Sequence, residues 1–105
     1  VLHFRVNGSV VKVAPLSVYA VLKEVHALKR FQLLAYPENR LELRLECADS
    51  VDRLDAFSQA KEALIGFLAV QGVNNVSVSL SPEAPRQQEG SGKFKHIVQM
   101  ESIEA

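Results

Sequence analysis

The chain has 105 residues, 12 Lys+Arg against 12 Asp+Glu, 48% hydrophobic and 23% charged residues, and one cysteine. A chain of this size forms one domain and buries roughly two-thirds of its unfolded surface, so its core needs no disulfide or zinc staple. The balanced charge argues against a nucleic-acid binder that tracks phosphates and against a polybasic membrane module. No apolar run approaches the roughly 20 residues that span a bilayer, and the N-terminus lacks the charged, apolar and small-residue order of a signal peptide. With Cys47 alone no intrachain disulfide forms, which fits a reducing compartment, and the cytoplasm is the expected location. The first residue is Val1 rather than Met, so a piece of a longer protein is expected.

Leu2, Phe4 and Val6 alternate with His3 and Arg5, Asn7-Gly8 offers a left-handed turn, and Val11 and Val13 resume the apolar face. This predicts a β-hairpin. Pro15 suits the first turn of a helix, in which Val18, Val21, Leu22, Val25 and Leu28 form an apolar stripe ending near Lys29. A second hairpin is predicted from Phe31 to Tyr36, the turn Pro37-Glu38-Asn39-Arg40, and Leu41, Leu43, Leu45 and Cys47 alternating with Glu42, Arg44 and Glu46. Ser50 is the expected N-cap of a second helix striped by Leu54, Phe57, Ala60, Leu64, Phe67 and Leu68, with Gly72 as its stop. Val76, Val78 and Leu80 make a further strand, and Phe94 to Met100 a last short one. The predicted class is α+β: an N-terminal β-hairpin, then an α-β-β-α-β ferredoxin-like core with two helices on one face of a mainly antiparallel sheet.

The stretch from Ser81 to Lys93 has two prolines after Ser81 and two glycines before the lysine, with almost nothing to bury. Long loops inside small domains are functional or disordered. Gly92-Lys93 repeats the end of a Walker A motif, but Gln87 stands where that motif needs Gly, and Phe94 where it needs Ser or Thr. The match fails, and a phosphate-cradling nest is not expected. What remains is Lys93, a compact cation presented by glycines that allow close backbone approach to a partner.

Gly90-Ser91-Gly92-Lys93, preceded by Pro85-Arg86 and followed by Phe94-Lys95-His96-Ile97-Val98, resembles the C-terminal lysine motif of adenylate-forming enzymes. These include acyl- and aryl-CoA ligases, luciferases and nonribosomal peptide adenylation domains. Leu2-His-Phe-Arg-Val-Asn-Gly8 and Lys12-Val-Ala-Pro15 are similar to the hairpin and helix start that open the small C-terminal domain of this superfamily. With the α-β-β-α-β middle, the resemblance covers nearly the whole chain, and the ending is most similar to the phenylacetate-CoA ligase branch.

The resemblance implies that residues 1–105 are the C-terminal lid domain of an AMP-forming carboxylate-CoA ligase. Its partners are the large N-terminal domain of the same polypeptide and an aryl or acyl carboxylic acid, with no nucleic acid and no membrane. ATP, Mg2+ and coenzyme A are the implied cofactors, bound mainly by the large domain or at the domain interface. Lys93 is the implied catalytic residue of adenylation, presented by Gly90, Ser91 and Gly92. The domain then rotates so that the opening hairpin, with Gly8 and Lys12, faces coenzyme A. The family tail carries Arg shortly after the Lys, where this chain has Lys95 and His96. The fragment alone is expected to be inactive.

A different class of function is open to the same pattern, a non-catalytic ligand-sensing or protein-interaction module. His3, His26 and His96 share no metal-ligand spacing, so no metal site is predicted. His3 and His26 read as solvent-facing residues, Cys47 as an inert core thiol, and Glu42, Arg44 and Glu46 as a wet sheet face. Arg86 reads equally as a loop charge or an interdomain contact.

Overall fold

A computed structural model describes residues 1–85 and 96–99. Its elements are β1 (Leu2–Val6), β2 (Ser9–Val13), α1 (Pro15–Lys23), β3 (Leu28–Tyr36), β4 (Arg40–Cys47), α2 (Arg53–Val70), β5 (Ser77–Leu80) and β6 (Ile97–Gln99). The fold is the expected α+β arrangement, with β1 and β2 as a separate hairpin and a four-stranded sheet in the order β5-β4-β3-β6. The long β3–β4 ladder is antiparallel, but the short edge strands β5 and β6 join it in parallel, so two of the three pairings depart from the mainly antiparallel sheet expected. Among the described residues, no helix is long and apolar enough to cross a membrane.

Period-two patterning sets one face of the sheet. Leu41, Leu43 and Leu45 of β4 and Phe31, Leu33 and Ala35 of β3 are buried in one cluster with Val18 and Leu22 of α1, and Ala60, Leu64 and Leu68 of α2. Leu2, Phe4 and Val13 add the apolar side of the hairpin to the same core. Asn7 (φ 50°) and Gly8 (φ 82°) take the left-handed conformations that a two-residue hairpin turn requires, as the Asn-Gly pair predicts.

Four further expectations need correction. Helix α1 ends at Lys23, six residues before the expected Lys29. Leu28 instead begins β3 opposite Cys47, while Val25 and Ala27 join Ala56 in a second small apolar cluster. The spacing that predicted helix is thus satisfied by a turn and a strand that bury the same side chains, a tertiary preference overriding local pattern. The N-cap of α2 is Asp52, whose side chain accepts from Leu54 N at 3.0 Å, whereas Ser50 sits at φ 67° in the preceding turn. Leu54 lies outside the core at 67% exposure, because the buried line runs through Ala56, Ala60, Leu64 and Leu68 at strict four-residue spacing.

The face opposite the helices is also drier than its charges suggest. Gln32 and Leu34 are buried there at 4% and 2% exposure. Arg44 donates from Nη1 to Gln32 Oε1 at 3.1 Å and approaches Glu83 at 3.7 Å, so the chain leaving β5 folds back over this face. Arg53 also holds that segment by donating to the Ser81 carbonyl.

Substitution Leu64→Ala, at a site with no exposure, is expected to cost about 2–5 kcal/mol in chemical denaturation. Leu54→Ala, on the same helix, should change stability by no more than about 0.5 kcal/mol.

Candidate functional site

The two parts of the chain singled out by sequence meet the structure differently. Gly90, Ser91, Gly92 and Lys93, with Arg86 and Lys95, lie outside the described residues. Gly8 and Lys12 lie in the hairpin, Gly8 in its turn and Lys12 on β2 opposite His3, both exposed. The last expected strand is described over Ile97–Gln99.

The ends of the segment joining β5 to β6 are fixed by the sheet. Leu80 pairs with Leu43, Leu43 with Leu33, and Leu33 with Ile97, so the two ends lie on one row of four residues. Three inter-strand gaps separate them by about 14 Å. Ser81 N donates to the Leu43 carbonyl at 2.8 Å at one end, and Leu33 N donates to the His96 carbonyl at 2.7 Å at the other. Leu80 and Ile97 both pack on the main core. Ser81 and His96 are thereby each tied to the sheet.

His96 is seated in an aromatic group. Its ring lies 4.8 Å from Tyr19 in an edge-on arrangement and 5.1 Å from Phe31, and Tyr19 and Phe31 are 5.7 Å apart. These separations are in the range where ring edges and faces attract. Burial, with the positive charge of Arg30 beside it, holds the His96 pKa below its ordinary 6.5. The imidazole is therefore neutral at pH 7. A base with a lowered folded pKa binds its proton more readily unfolded. Its contribution to stability is complete above about pH 6.5 and is lost as pH falls towards the folded value.

A groove of about 750 Å3 runs between the hairpin and the β3–β4 turn. Leu2, Phe4, Ala35 and Leu41 form its apolar part, and His3, Arg5, Glu38 and Gln99 its polar rim. Asn39 fixes this geometry from the turn, with φ 57° and 8% exposure. Its Oδ1 accepts from Arg5 N at 2.9 Å, and its Nδ2 donates to the Arg5 carbonyl at 2.8 Å and to the Asn75 carbonyl at 3.3 Å. Asn75 Nδ2 donates to the same Arg5 carbonyl at 3.0 Å, and Ser77 N to the Asn39 carbonyl at 2.9 Å. Sequence reading placed Asn39 only in a turn. An asparagine in a turn beside a hairpin whose edge needs partners was the available signal, but it does not name the partner.

No family model matches this chain, and a search of curated proteins likewise gives no match.

Two measurements follow. Asn39→Ala removes the side-chain acceptor of Arg5 N and leaves the Arg5 carbonyl with Asn75 Nδ2 alone, and should cost about 1–3 kcal/mol. Amide exchange at Arg5 should accelerate more than at Leu33. The melting temperature should fall as pH is lowered from 7 to 5, and His96→Phe should flatten that dependence; an unchanged profile in the variant would remove His96 as its source.

Proposed function

We propose that this chain is the C-terminal lid domain of an AMP-forming carboxylate-CoA ligase of the phenylacetate-CoA ligase type. The observation that carries the reading is the run Gly90-Ser-Gly-Lys93-Phe-Lys-His96-Ile-Val98 leading directly into β6. The leading hairpin, the α-β-β-α-β order after it and the ties of Ser81 and His96 to the sheet are consistent with it. The compartment that accompanies this reading is the cytoplasm.

In the first half-reaction a carboxylate oxygen attacks the α-phosphorus of ATP, a bond forms between them, and pyrophosphate leaves with the electron pair of the broken bond. Lys93 supplies a fixed positive charge where negative charge gathers on carboxylate and phosphoryl oxygens. An ordinary lysine is protonated at neutral pH, so it needs no tuning for this role. It also holds two anions together that otherwise repel, the orientation part of the rate gain. In the second half-reaction the thiol of coenzyme A attacks the acyl carbon, forming the thioester and releasing AMP. The hairpin with Gly8 and Lys12 is the surface proposed to face that step.

One observation favours a second reading, a ligand-sensing module without catalysis. The groove beside the hairpin is preformed and, at about 750 Å3, lies within the usual range of small-molecule sites. Tight, saturable binding of a metabolite by the isolated chain would favour that reading over the lid.

The deciding experiment uses the complete polypeptide that contains this chain. Lys93→Ala should reduce acid-dependent ATP–pyrophosphate exchange by about a hundredfold or more, equivalent to about 3 kcal/mol, and leave thioester formation from preformed acyl-adenylate largely intact. Unchanged exchange would make Lys93 an ordinary loop residue.

A further inference from the structure

The groove beside the hairpin has two permanent charges, Arg5 and Glu38, among its described lining residues. Asn39 brings their backbones together, because its carboxamide holds Arg5 N and O, and Glu38 is its neighbour in the chain. Yet among the described residues neither side chain makes an ion pair or a hydrogen bond, and the bonds of Arg5 are all main-chain. Arg40, the next cation along the turn, is engaged. Its Nε donates to the Pro37 carbonyl at 3.3 Å, and its guanidinium lies 5.6 Å from the Tyr36 ring centroid. One positive and one negative group thus stand unmatched at the rim of a cavity large enough for an organic molecule.

The main chain of the same wall adds a second donor and acceptor. In an antiparallel hairpin, successive residues turn their N–H and C=O alternately toward the partner strand and away from it. Arg5 turns both groups away from β2, to Asn39. His3, two positions earlier, therefore turns its own N–H and C=O to that side, about 7 Å along the strand. His3 lines the groove, and outside the β1–β2 ladder no described residue hydrogen-bonds to it. A facing strand residue would exchange two bonds with it, one from its N–H and one to its C=O. The ammonium and carboxylate of a single amino acid have the same order and spacing as that residue's N–H and C=O.

We propose that this groove binds an α-amino acid with a large apolar side chain. Its carboxylate accepts from His3 N–H beside the Arg5 guanidinium, and its ammonium donates to the His3 carbonyl beside Glu38. Its side chain rests against Tyr36, Pro37 and the apolar floor of the groove. A zwitterion satisfies the cation and the anion of the rim together. A simple anion would meet Glu38 and a simple cation Arg5, each a like charge that selects against it. The proposal rests on the groove being a ligand site, the second of the two readings above, and names its ligand.

The test is an NMR amide titration of the 105-residue chain with L-phenylalanine, hydrocinnamate, phenethylamine or glycine. L-Phenylalanine should shift the His3, Tyr36 and Glu38 amides saturably. Hydrocinnamate lacks the ammonium, phenethylamine the carboxylate and glycine the apolar group, and each should bind about fivefold more weakly or worse. Arg5→Gln should weaken L-phenylalanine about three- to fivefold and leave phenethylamine no weaker. Glu38→Gln should have the same effect on L-phenylalanine and leave hydrocinnamate no weaker. Unchanged amide exchange at Arg5 in both variants checks that Asn39 still holds the hairpin. Hydrocinnamate or phenethylamine binding as tightly as L-phenylalanine would overturn the zwitterion while leaving the groove a ligand site. No shift with any of the four would overturn the proposal, and pyrophosphate exchange by Lys93→Ala decides the ligase reading separately.

Discussion

The Asn39 carboxamide is the point on which the positions of the hairpin, the β3–β4 turn and β5 jointly depend. It meets the Arg5 backbone as another strand would, accepting from its N–H and donating to its carbonyl. The main chain of Asn39 meanwhile receives Ser77 N at the entry to β5. A residue at φ 57° can do both, because the left-handed turn sends the side chain and the carbonyl in different directions. Asparagine adopts this conformation more readily than most residues. Besides this link the hairpin is held by the bond from Asn75 Nδ2 to the Arg5 carbonyl and by Leu2, Phe4, Val13 and their neighbours, an apolar contact that sets depth but not angle. Polar bonds with direction fix the orientation that undirected burial leaves open.

The rest of the architecture grows from alternation along β3 and β4. Each leucine of β4 faces the helices, and each charged residue between them faces away. The helices need only supply small or branched residues at four-residue spacing, which is why α2 presents Ala56 and Ala60 before Leu64 and Leu68. Ala56 brings the first turn of α2 close to the chain around Val25 and Ala27, while Ala60 packs in the main core. The larger leucines fill the wider space over the centre of the sheet.

Much of this was legible in the residues. Both hairpins, both helices, the Asn7-Gly8 turn and the Gly72 stop follow from period and turn chemistry, since each is decided within a few neighbouring positions. What escaped the sequence is decided elsewhere in the chain. Val25 and Leu28 satisfy a helical stripe and also a turn and strand start, and only pairing with Cys47 chooses between them. Asp52 and Ser50 are both acceptable caps, and the choice depends on where the chain leaves β4. The bulge at Lys29, between the Leu28 and Arg30 pairings, has no local signature at all. The candidate site divides the same way: the glycine-lysine segment stood out as a motif, whereas the bonds that set the groove join Asn39 to Arg5, 34 positions away.

The lengths of the outer strands have a consequence for life in a crowded solution. Among the described residues β5 has four and β6 three, so each border of the sheet as described offers a growing assembly very little backbone to pair with. Beside β6 in the sheet lies the opposite case, the uninterrupted apolar run Leu33-Leu34-Ala35 of β3. Stripped of its three-residue cover, that run would be a flat template for another chain. β6 therefore also guards the protein against joining copies of itself.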